Sequence, residues 1–172
     1  MLNSLRTHPR RYGLLVAAIA VAALGAAFIM QYGFDLYPCT LCIYQRYPYA
    51  IIALLGLSAA AEHRASYRKA IFVMIAFALL VEIGLAGYHA GVEQGIFEGT
   101  SSCAPDTSSL EATLDDLRAM ITAAPIASCK DAAAKLFGLS ITMWNGLFAF
   151  GLLIAHLTYM RYQHPKRKDM EL

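Results

Sequence analysis

Four cysteines are the residues of this chain best suited to carry chemistry. Cys39 and Cys42 lie in a Cys-Thr-Leu-Cys segment, whereas a longer stretch separates Cys103 from Cys129. The spacing favours disulfides that join Cys39 with Cys42 and Cys103 with Cys129, although four cysteines permit three connectivities in principle.

The spacing of Cys39 and Cys42 is typical of redox chemistry. A disulfide across so short a ring removes little entropy from the unfolded chain and therefore stabilises a fold weakly. Two cysteines in this spacing exchange a disulfide reversibly, and the pKa of one of them is lowered. A zinc site built from all four cysteines is an alternative, but Cys103 and Cys129 lack the close spacing of zinc ribbons. We therefore expect a redox pair and no metal.

Cys103 and Cys129 also allow a purely structural interpretation. Closing a loop of about 27 residues stabilises a fold by roughly 3–4 kcal/mol in the chain-entropy model. If both pairs lie on the oxidising side of a membrane, they can instead form a relay. In that relay the Cys103–Cys129 pair oxidises a soluble dithiol, and the Cys39–Cys42 pair then reoxidises the Cys103–Cys129 pair.

The residues around the first pair favour redox use. Pro38 ends the preceding loop, so Cys42 is expected at or near the N-terminus of a helix, where the dipole and free N–H groups favour a thiolate. Arg46 follows one helical turn later on the same face as Cys42. We expect Arg46 to stabilise this thiolate, to polarise a carbonyl of an electron acceptor, or to serve as a plain interfacial anchor.

Electrons that reach the pair need an acceptor. The sequence contains no haem motif, no GxGxxG fingerprint and no iron–sulfur cysteine run. A dithiol gives up two electrons together, and a membrane-dissolved quinone accepts two electrons and two protons. A quinone is therefore the expected acceptor. Nucleic acid is excluded as a partner, because no basic run is interleaved with aromatic residues.

The elements that must position these residues are apolar. The chain has 172 residues, of which 58% are hydrophobic and 15% charged, against roughly 45–50% and about 25% in soluble domains. This composition excludes a free soluble globule and a disordered chain. Four stretches approach the roughly 20 residues that a membrane-spanning helix needs. The sequence thus predicts an all-α membrane protein, one domain over residues 1–172 that forms an antiparallel bundle of four transmembrane helices. The spans cover about 12–32, 43–61, 70–88 and 139–162.

Basic residues flank the predicted spans on one side of the membrane. They precede the first span, fill the link between the second and third, and follow the fourth, which predicts cytoplasmic termini. Loops 33–42 and 89–138, with all the cysteines, are then outside. Removal of the first span as a signal peptide is disfavoured, because its apolar run is too long and a second span follows. These basic residues are Arg6, Arg10, Arg11, Arg64, Arg68, Lys69, Arg161, Lys166, Arg167 and Lys168.

The second outer loop contains one periodic segment. Leu110, Leu114, Leu117 and Ile121 recur at helical spacing with acidic residues between them. We expect a short amphipathic helix that lies on the membrane surface or packs on the top of the bundle.

The residues around the first cysteine pair carry a family resemblance. The order Pro38, Cys39, Leu41, Cys42 and Arg46 resembles the Pro-Cys-x-Leu-Cys-x-x-x-Arg pattern of the disulfide bond formation protein B (DsbB) family. The separated second cysteine pair and the stretch 137–145 at the opening of the fourth span are also similar to that family. The resemblance covers nearly the whole chain.

The resemblance implies a bacterial inner-membrane thiol:quinone oxidoreductase. Such an enzyme reoxidises a periplasmic thioredoxin-like oxidase, DsbA, and passes the electrons to ubiquinone or menaquinone, which sustains disulfide bond formation. By position, Cys103 resembles the cysteine that forms the mixed disulfide with DsbA, and Cys129 resembles its partner. Cys42 resembles the cysteine beside the quinone, Arg46 the quinone-site arginine and His89 a position near the quinone. A histidine at such a site can also be a plain hydrogen-bonding residue.

Three residues stand apart from this pattern. Thr142 occupies a position where the family commonly has proline. The replacement of this proline by threonine removes no redox group. Glu82 is an acid inside the third span, where it is either a proton-path residue or, as we favour, a protonated or paired side chain. Trp144 is expected to be an interfacial belt residue.

Two other functions remain open. An enzyme similar to quinone or vitamin K epoxide reductases also uses four helices and a CxxC, but the fourth span here has no cysteine. A structural or adaptor tetraspan, whose outer disulfides only brace loops, predicts that Cys39→Ala leaves function intact. The sequence does not specify the quinone, the DsbA-like partner, the oligomeric state, or whether the oxidase is general or dedicated.

Overall fold

The computed structural model describes residues 8–99, 128–130 and 134–168, with side chains of the last helix described as far as residue 163. Cys103 and the predicted amphipathic helix of the second outer loop lie outside the described residues. Helices form most of the described chain, and one short hairpin completes the regular structure. The elements are α1 (Pro9–Gly33), α2 (Thr40–Tyr44), α3 (Arg46–Ala61), α4 (Ala65–Glu93), β1 (Lys135–Leu136), β2 (Leu139–Ser140) and α5 (Ile141–Lys168).

Three of the described helices are long and apolar enough to cross a bilayer. They are α1, α4 and residues Ile141–Gln163 of α5, with hydropathies of 2.5, 2.4 and 1.4. Large apolar side chains, among them Ile29, Leu54 and Phe77, project outward from the helices and are more than half exposed. Exposed apolar surface of this kind is suited to lipid rather than water. The architecture is therefore mostly helical and compatible with a multi-pass membrane protein.

The predicted span 43–61 differs from its expected form. It consists of the five-residue helix α2 and the 16-residue helix α3, separated at Gln45. Pro48 explains the break, because proline has no N–H to donate to the carbonyl of Tyr44 and its ring crowds that carbonyl. Since α3 alone is shorter than the roughly 20 residues of a typical span, a fourth crossing remains a prediction.

Helix α4 is longer than the predicted span 70–88 at both ends. At its C-terminal end it continues through His89 to Glu93, so His89 belongs to the helix and not to the outer loop. The helix stops where Gly95 adopts a φ of +73°, which glycine tolerates without strain. The N–H of Ile96 then donates to the carbonyl of Gly91 across 2.8 Å and closes the helix end.

A β-hairpin precedes α5, where the sequence predicts the start of a helical span. Lys135 pairs with Ser140 and Leu136 with Leu139. Phe137 and Gly138 form the turn with φ values of 51° and 81°, the pattern of a two-residue hairpin loop. Leu139 is thus in a strand, and α5 begins two residues later.

The start of α5 is fastened to this hairpin by two side-chain hydrogen bonds. Ser140 accepts a hydrogen bond from the N–H of Met143 across 3.2 Å, as a helix-capping side chain does. The indole N–H of Trp144 donates to the carbonyl of Leu136 across 3.0 Å. Trp144 therefore has a structural contact besides any role at the membrane interface.

Helices α1 and α3 pack closely because two glycines meet. A Cβ added to Gly13 would lie 2.8 Å from the carbonyl oxygen of Gly56, and one added to Gly56 would lie 2.8 Å from the backbone N of Ala17. Small residues allow this approach between apolar helices. At the other end of α1, Gln31 contacts Arg46 at the start of α3, so the two helices run antiparallel.

Helices α4 and α5 are also antiparallel. Near the start of α4, the ring Nε2–H of His156 donates to the carbonyl of Phe72 across 2.9 Å. The hydroxyl of Tyr12 lies 2.8 Å from the other ring nitrogen, Nδ1, and joins α1 to the pair. Near the end of α4, Thr142 of α5 lies against His89. The bundle therefore brings the ends of α1 and α4 and the starts of α2, α3 and α5 to one side.

Candidate functional site

The Cys39–Cys42 pair begins helix α2 at that end of the bundle. Cys39 is the N-cap residue, and its Sγ accepts a hydrogen bond from the N–H of Cys42 across 3.4 Å. The two Sγ atoms lie 3.1 Å apart, and both cysteines are free thiols. The structure holds the reduced form of the pair with the sulfurs in contact, and the Cys39–Cys42 disulfide remains a prediction for the oxidised form.

The two thiols of this pair differ in acidity. The pKa of Cys39 is lowered, first by the hydrogen bond shared with the Cys42 thiol and further by His89 and the N–H of Cys42, against an opposing effect of burial. The pKa of Cys42 is raised by its hydrogen bond to Cys39 and by burial. Our expectation of a Cys42 thiolate is therefore corrected, because the N-cap position and the histidine belong to Cys39.

His89 connects the cysteine pair to α5. Its Nε2 lies 3.4 Å from Sγ of Cys39, and its Nδ1 lies 3.3 Å from Oγ1 of Thr142. The Thr142 hydroxyl donates to Oε1 of Glu93 across 2.8 Å. Since that hydroxyl has one proton, it can only accept from His89, which assigns the ring proton to Nδ1 and leaves Nε2 free to accept from Cys39.

Glu93 and Thr142 are site residues that sequence reasoning missed. Glu93 lies one helical turn after His89, and its Oε1 is 3.8 Å from Nε2 of that histidine. The i,i+4 spacing of a histidine and an acid is a signal that the sequence contains. Nothing in the sequence indicates that Thr142, from another helix, contacts both.

Arg46 contacts α1 rather than the cysteines. Its Nη1 donates to Oε1 of Gln31 across 2.8 Å, and its guanidinium carbon lies 4.9 Å from the centre of the Phe28 ring. These contacts fasten the guanidinium to α1. Of the expectations for Arg46, stabilisation of a Cys42 thiolate has no supporting contact here, whereas contact with an acceptor remains open.

A cavity opens beside the cysteine pair and contains about 930 Å³ of space, including its part open to the outside. Its lining combines apolar residues of α1 with the cysteines and with polar residues of α3, α4 and α5. Gln45 is notable in this lining, because its buried Nε2 finds no hydrogen-bond partner among the described residues. The lining includes Leu24, Ala27, Met30, Pro38, Cys39, Cys42, Gln45, Arg46, Tyr49, His89, Glu93, Thr142 and Asn145.

A chain of hydrogen bonds leads from the cavity towards Glu82. The Tyr49 hydroxyl donates to Oδ1 of Asn145 across 2.7 Å, and the Asn145 amide donates to Oε1 of Glu82 across 2.6 Å. Glu82 is fully buried, and its second oxygen lacks a partner among the described residues. The acid of the third predicted span is therefore paired through Asn145, in agreement with the interpretation that we favour.

Cys129 lies close to the first cysteine pair. It is fully buried, disulfide-bonded, and part of one apolar cluster with Cys39, Leu41 and Val92. Cys103, its predicted partner, lies outside the described residues. Cysteines from two distant segments thus meet in one cluster.

Three side chains of the site are of the types that bind zinc. The Sγ atoms of Cys39 and Cys42 and a ring nitrogen of His89 lie within 4.8 Å of one another. Thiolate and imidazole are preferred zinc ligands, so the reduced pair offers a possible three-ligand set. From the sequence we expect no metal here, and that expectation remains a prediction.

Comparison with known proteins identifies the family. Residues 9–159 match the family model described as disulfide bond formation protein DsbB. The chain is 33% identical to a disulfide bond formation protein B of Xanthomonas campestris pv. campestris, over 91% of this chain and 95% of that protein. It is 31% identical to disulfide bond formation protein B 1 of Pseudomonas fluorescens, over 84% and 85% of the two chains. It is also 31% identical to an uncharacterized protein of Rickettsia prowazekii, over 82% and 81%. With its redox-suited cysteine pair and its apolar helices, this chain belongs to the disulfide bond formation protein B family.

Proposed function

We propose that the chain is a membrane thiol:quinone oxidoreductase that reoxidises a periplasmic, DsbA-like thioredoxin-fold oxidase and passes the electrons to a membrane quinone. The observation that carries this proposal is the position of the reduced Cys39–Cys42 pair in the wall of a cavity. The same wall offers hydrogen-bond donors that suit a carbonyl compound. Family membership supports disulfide formation as the outcome of the reaction.

The residues of the cavity fit a quinone. Its carbonyl oxygens need donors, and the buried amide of Gln45 and the guanidinium of Arg46 are donors in the cavity wall. The apolar residues of α1 suit the ring and an isoprenoid tail. A quinone bound here supplies an acceptor for two electrons and two protons. We assign Arg46, Cys42 and His89 to its neighbourhood.

The chain's own residues prepare the electron transfer. Cys39 and Cys42 lose two electrons and two protons as their sulfurs form one S–S bond. The lowered pKa of Cys39 favours its thiolate, and His89 can take up the thiol proton. The short distance between the sulfurs means that bond formation needs little movement of the backbone.

The second cysteine pair connects this reaction to the soluble partner. We propose that Cys103 forms a mixed disulfide with the partner and that release of the oxidised partner leaves Cys103 and Cys129 reduced. Attack of one of these thiolates on the Cys39–Cys42 disulfide restores the second pair and reduces the first. A disulfide at Cys129 beside free Cys39 and Cys42 matches the state that follows this exchange.

Quinone reduction by the purified protein tests the proposal. A reduced thioredoxin-like dithiol serves as donor, and ubiquinone and menaquinone analogues serve as acceptors in detergent. We expect one dithiol consumed per quinone, no turnover by Cys42→Ser or Cys103→Ser, and impaired turnover by Arg46→Ala. Arg64→Ala, at the opposite end of the bundle, is the matched control and keeps the wild-type rate. Absence of turnover with both quinone classes would favour the structural tetraspan.

A further inference from the structure

We propose that Thr142 and Glu93 extend His89 into a proton relay that carries the proton of Cys39 to the carboxylate of Glu93. The inference rests on the proposed function, because the proton is released when the Cys39–Cys42 pair is oxidised. It adds two residues, one from α5 and one from the end of α4, to the reaction.

Three contacts make this path continuous. Sγ of Cys39 lies 3.4 Å from Nε2 of His89, Nδ1 of His89 lies 3.3 Å from Oγ1 of Thr142, and this oxygen lies 2.8 Å from Oε1 of Glu93. Each group in the series can pass a proton to the next. These three contacts suffice to connect Cys39 with Glu93, without any movement of other groups.

Burial limits the access of water to the side chains along this path. His89 and Thr142 are 2% and 5% exposed, and the side chain of Glu93 is 7% exposed. Bulk water therefore has little access to the ring of His89. Glu93 itself lines the cavity and has a second carboxylate oxygen without a partner among the described residues. The carboxylate can thus receive a proton from Thr142 and still has an oxygen open to a further hydrogen bond.

The hydrogen-bond directions fit the transfer. The Cys39 proton moves to Nε2 of His89, the Nδ1 proton moves to Oγ1 of Thr142, and the Thr142 proton moves to Oε1 of Glu93. One proton leaves sulfur and one arrives at the carboxylate, while His89 changes tautomer and the intervening hydrogen bonds reverse. Oxidation of the pair breaks two S–H bonds and forms one S–S bond. It passes two electrons to the quinone and releases two protons, one from Cys39 along this path to Glu93 and one from Cys42. The reduced acceptor takes up both protons.

The hydroxyl of Thr142 distinguishes a proton relay from simple packing of the helices, because it is the link between His89 and Glu93. The resemblance to the family leads us to expect proline at this position, and proline has no side-chain hydroxyl. In this chain the hydroxyl bridges His89 and Glu93, whose own side chains are 3.8 Å apart between Nε2 and Oε1. The Nδ1 atom of His89 therefore depends on Thr142 for its contact with the carboxylate.

Stopped-flow oxidation of the pre-reduced protein by a ubiquinone analogue tests the relay. We expect Thr142→Val and Glu93→Gln to slow quinone reduction by about 10²-fold, the usual effect of losing general acid–base assistance. Thr142→Ser restores most of the rate lost in Thr142→Val, because it restores the hydroxyl. Thr158→Val removes an exposed hydroxyl elsewhere on α5 and is the matched control, with an unchanged rate. A wild-type rate in Thr142→Val, or no recovery in Thr142→Ser, would overturn the relay.

A second measurement needs no quinone. The pH dependence of Cys39 alkylation in the reduced protein reports how well His89 takes up the thiol proton. Among the described residues, the titratable groups around His89 are Cys39 and Cys42 from the α2 side and Glu93 from its own helix. We expect Thr142→Val to move the alkylation profile to higher pH, and an unmoved profile contradicts the relay. If the wild-type protein reduces no quinone, the proposed function fails, and this profile still decides whether the hydrogen-bonded path acts on Cys39.

Discussion

The Sγ atom of Cys39 lies 3.4 Å from Nε2 of His89, a residue 50 positions further along the chain. This contact and the hydrogen bond shared with Cys42 lower the pKa of Cys39. Cys39 is therefore the more acidic thiol of the pair, whereas we expected the thiolate at Cys42.

The reactivity of Cys39 should depend on both neighbours. A thiolate with a lowered pKa persists as the pH falls and is lost only when the pH drops through that pKa. Cys42→Ala should raise the pKa of Cys39 by about 1 or more, and His89→Ala should raise it by less, because Cys42 makes the largest contribution. Iodoacetamide alkylation of Cys39 as a function of pH measures this. A Cys39 profile that is identical in all three proteins contradicts the assignment.

Arg46 and Gln31 should affect quinone binding together. Loss of a hydrogen bond from a charged donor costs about 1.5–3 kcal/mol, so Arg46→Ala should raise the KM for quinone by at least about tenfold. Gln31→Leu should raise it less, since it leaves the guanidinium present but unanchored. Steady-state kinetics with Arg64→Ala as the control separate these effects. A larger defect in Gln31→Leu than in Arg46→Ala would argue against a positioning role for Gln31.

The contact between α1 and α3 should tolerate no side chain at Gly13. A Cβ there meets the backbone atoms Gly56 O at 2.8 Å and Ala60 N at 2.9 Å, which cannot move aside as a side chain does. We expect Gly13→Ala to destabilise the bundle by about 1–3 kcal/mol. Gly25→Ala is the matched control, because nothing lies within 4 Å of its added Cβ. Thermal unfolding in detergent should separate the two variants, and equal midpoints would refute the close approach.

The buried chain from Tyr49 to Glu82 should contribute to stability. Tyr49→Phe leaves Oδ1 of Asn145 without its donor, and a buried polar group without a partner costs about 1–3 kcal/mol. Ser58→Ala, which removes an exposed hydroxyl bonded to its own helix, is the control and should have little effect. The comparison uses denaturant or thermal unfolding in the same detergent. A Tyr49→Phe protein as stable as the wild type would mean that Asn145 finds another donor.

Metal chelation should leave turnover unchanged, because the proposed transfer runs from sulfur to quinone. Added Zn²⁺ should inhibit instead, since it can bind Cys39, Cys42 and His89 only when the pair is reduced. Turnover measured with a chelator and with added Zn²⁺ tests both expectations. Loss of activity on chelation, restored by metal, would contradict the sulfur-to-quinone route.

Several features of this protein follow from local sequence. Apolar runs of sufficient length identify α1, α4 and α5, because a bilayer selects helices by length and hydropathy alone. The Cys39–Cys42 spacing predicts a redox pair for a similar reason, since that chemistry depends on two residues in one turn. The resemblance to the family assigns Arg46 and His89 to the neighbourhood of a quinone, and this assignment stays a prediction.

Other features depend on how the helices meet. The helix break at Gln45 follows from Pro48, so the sequence alone could have predicted it. The hairpin at 135–140 directly precedes a long apolar run, and that run led us to predict a helix from residue 139. The partners of Arg46, His89 and Glu82 come from other helices, at separations of 15 to 63 residues. Helical periodicity gives the face on which a side chain lies but not the depth or rotation at which two helices pack. Only the tertiary structure therefore decided that Cys39 contacts His89 and that Thr142 joins His89 to Glu93, because hydrogen bonds form only when atoms from separate helices come within about 3 Å.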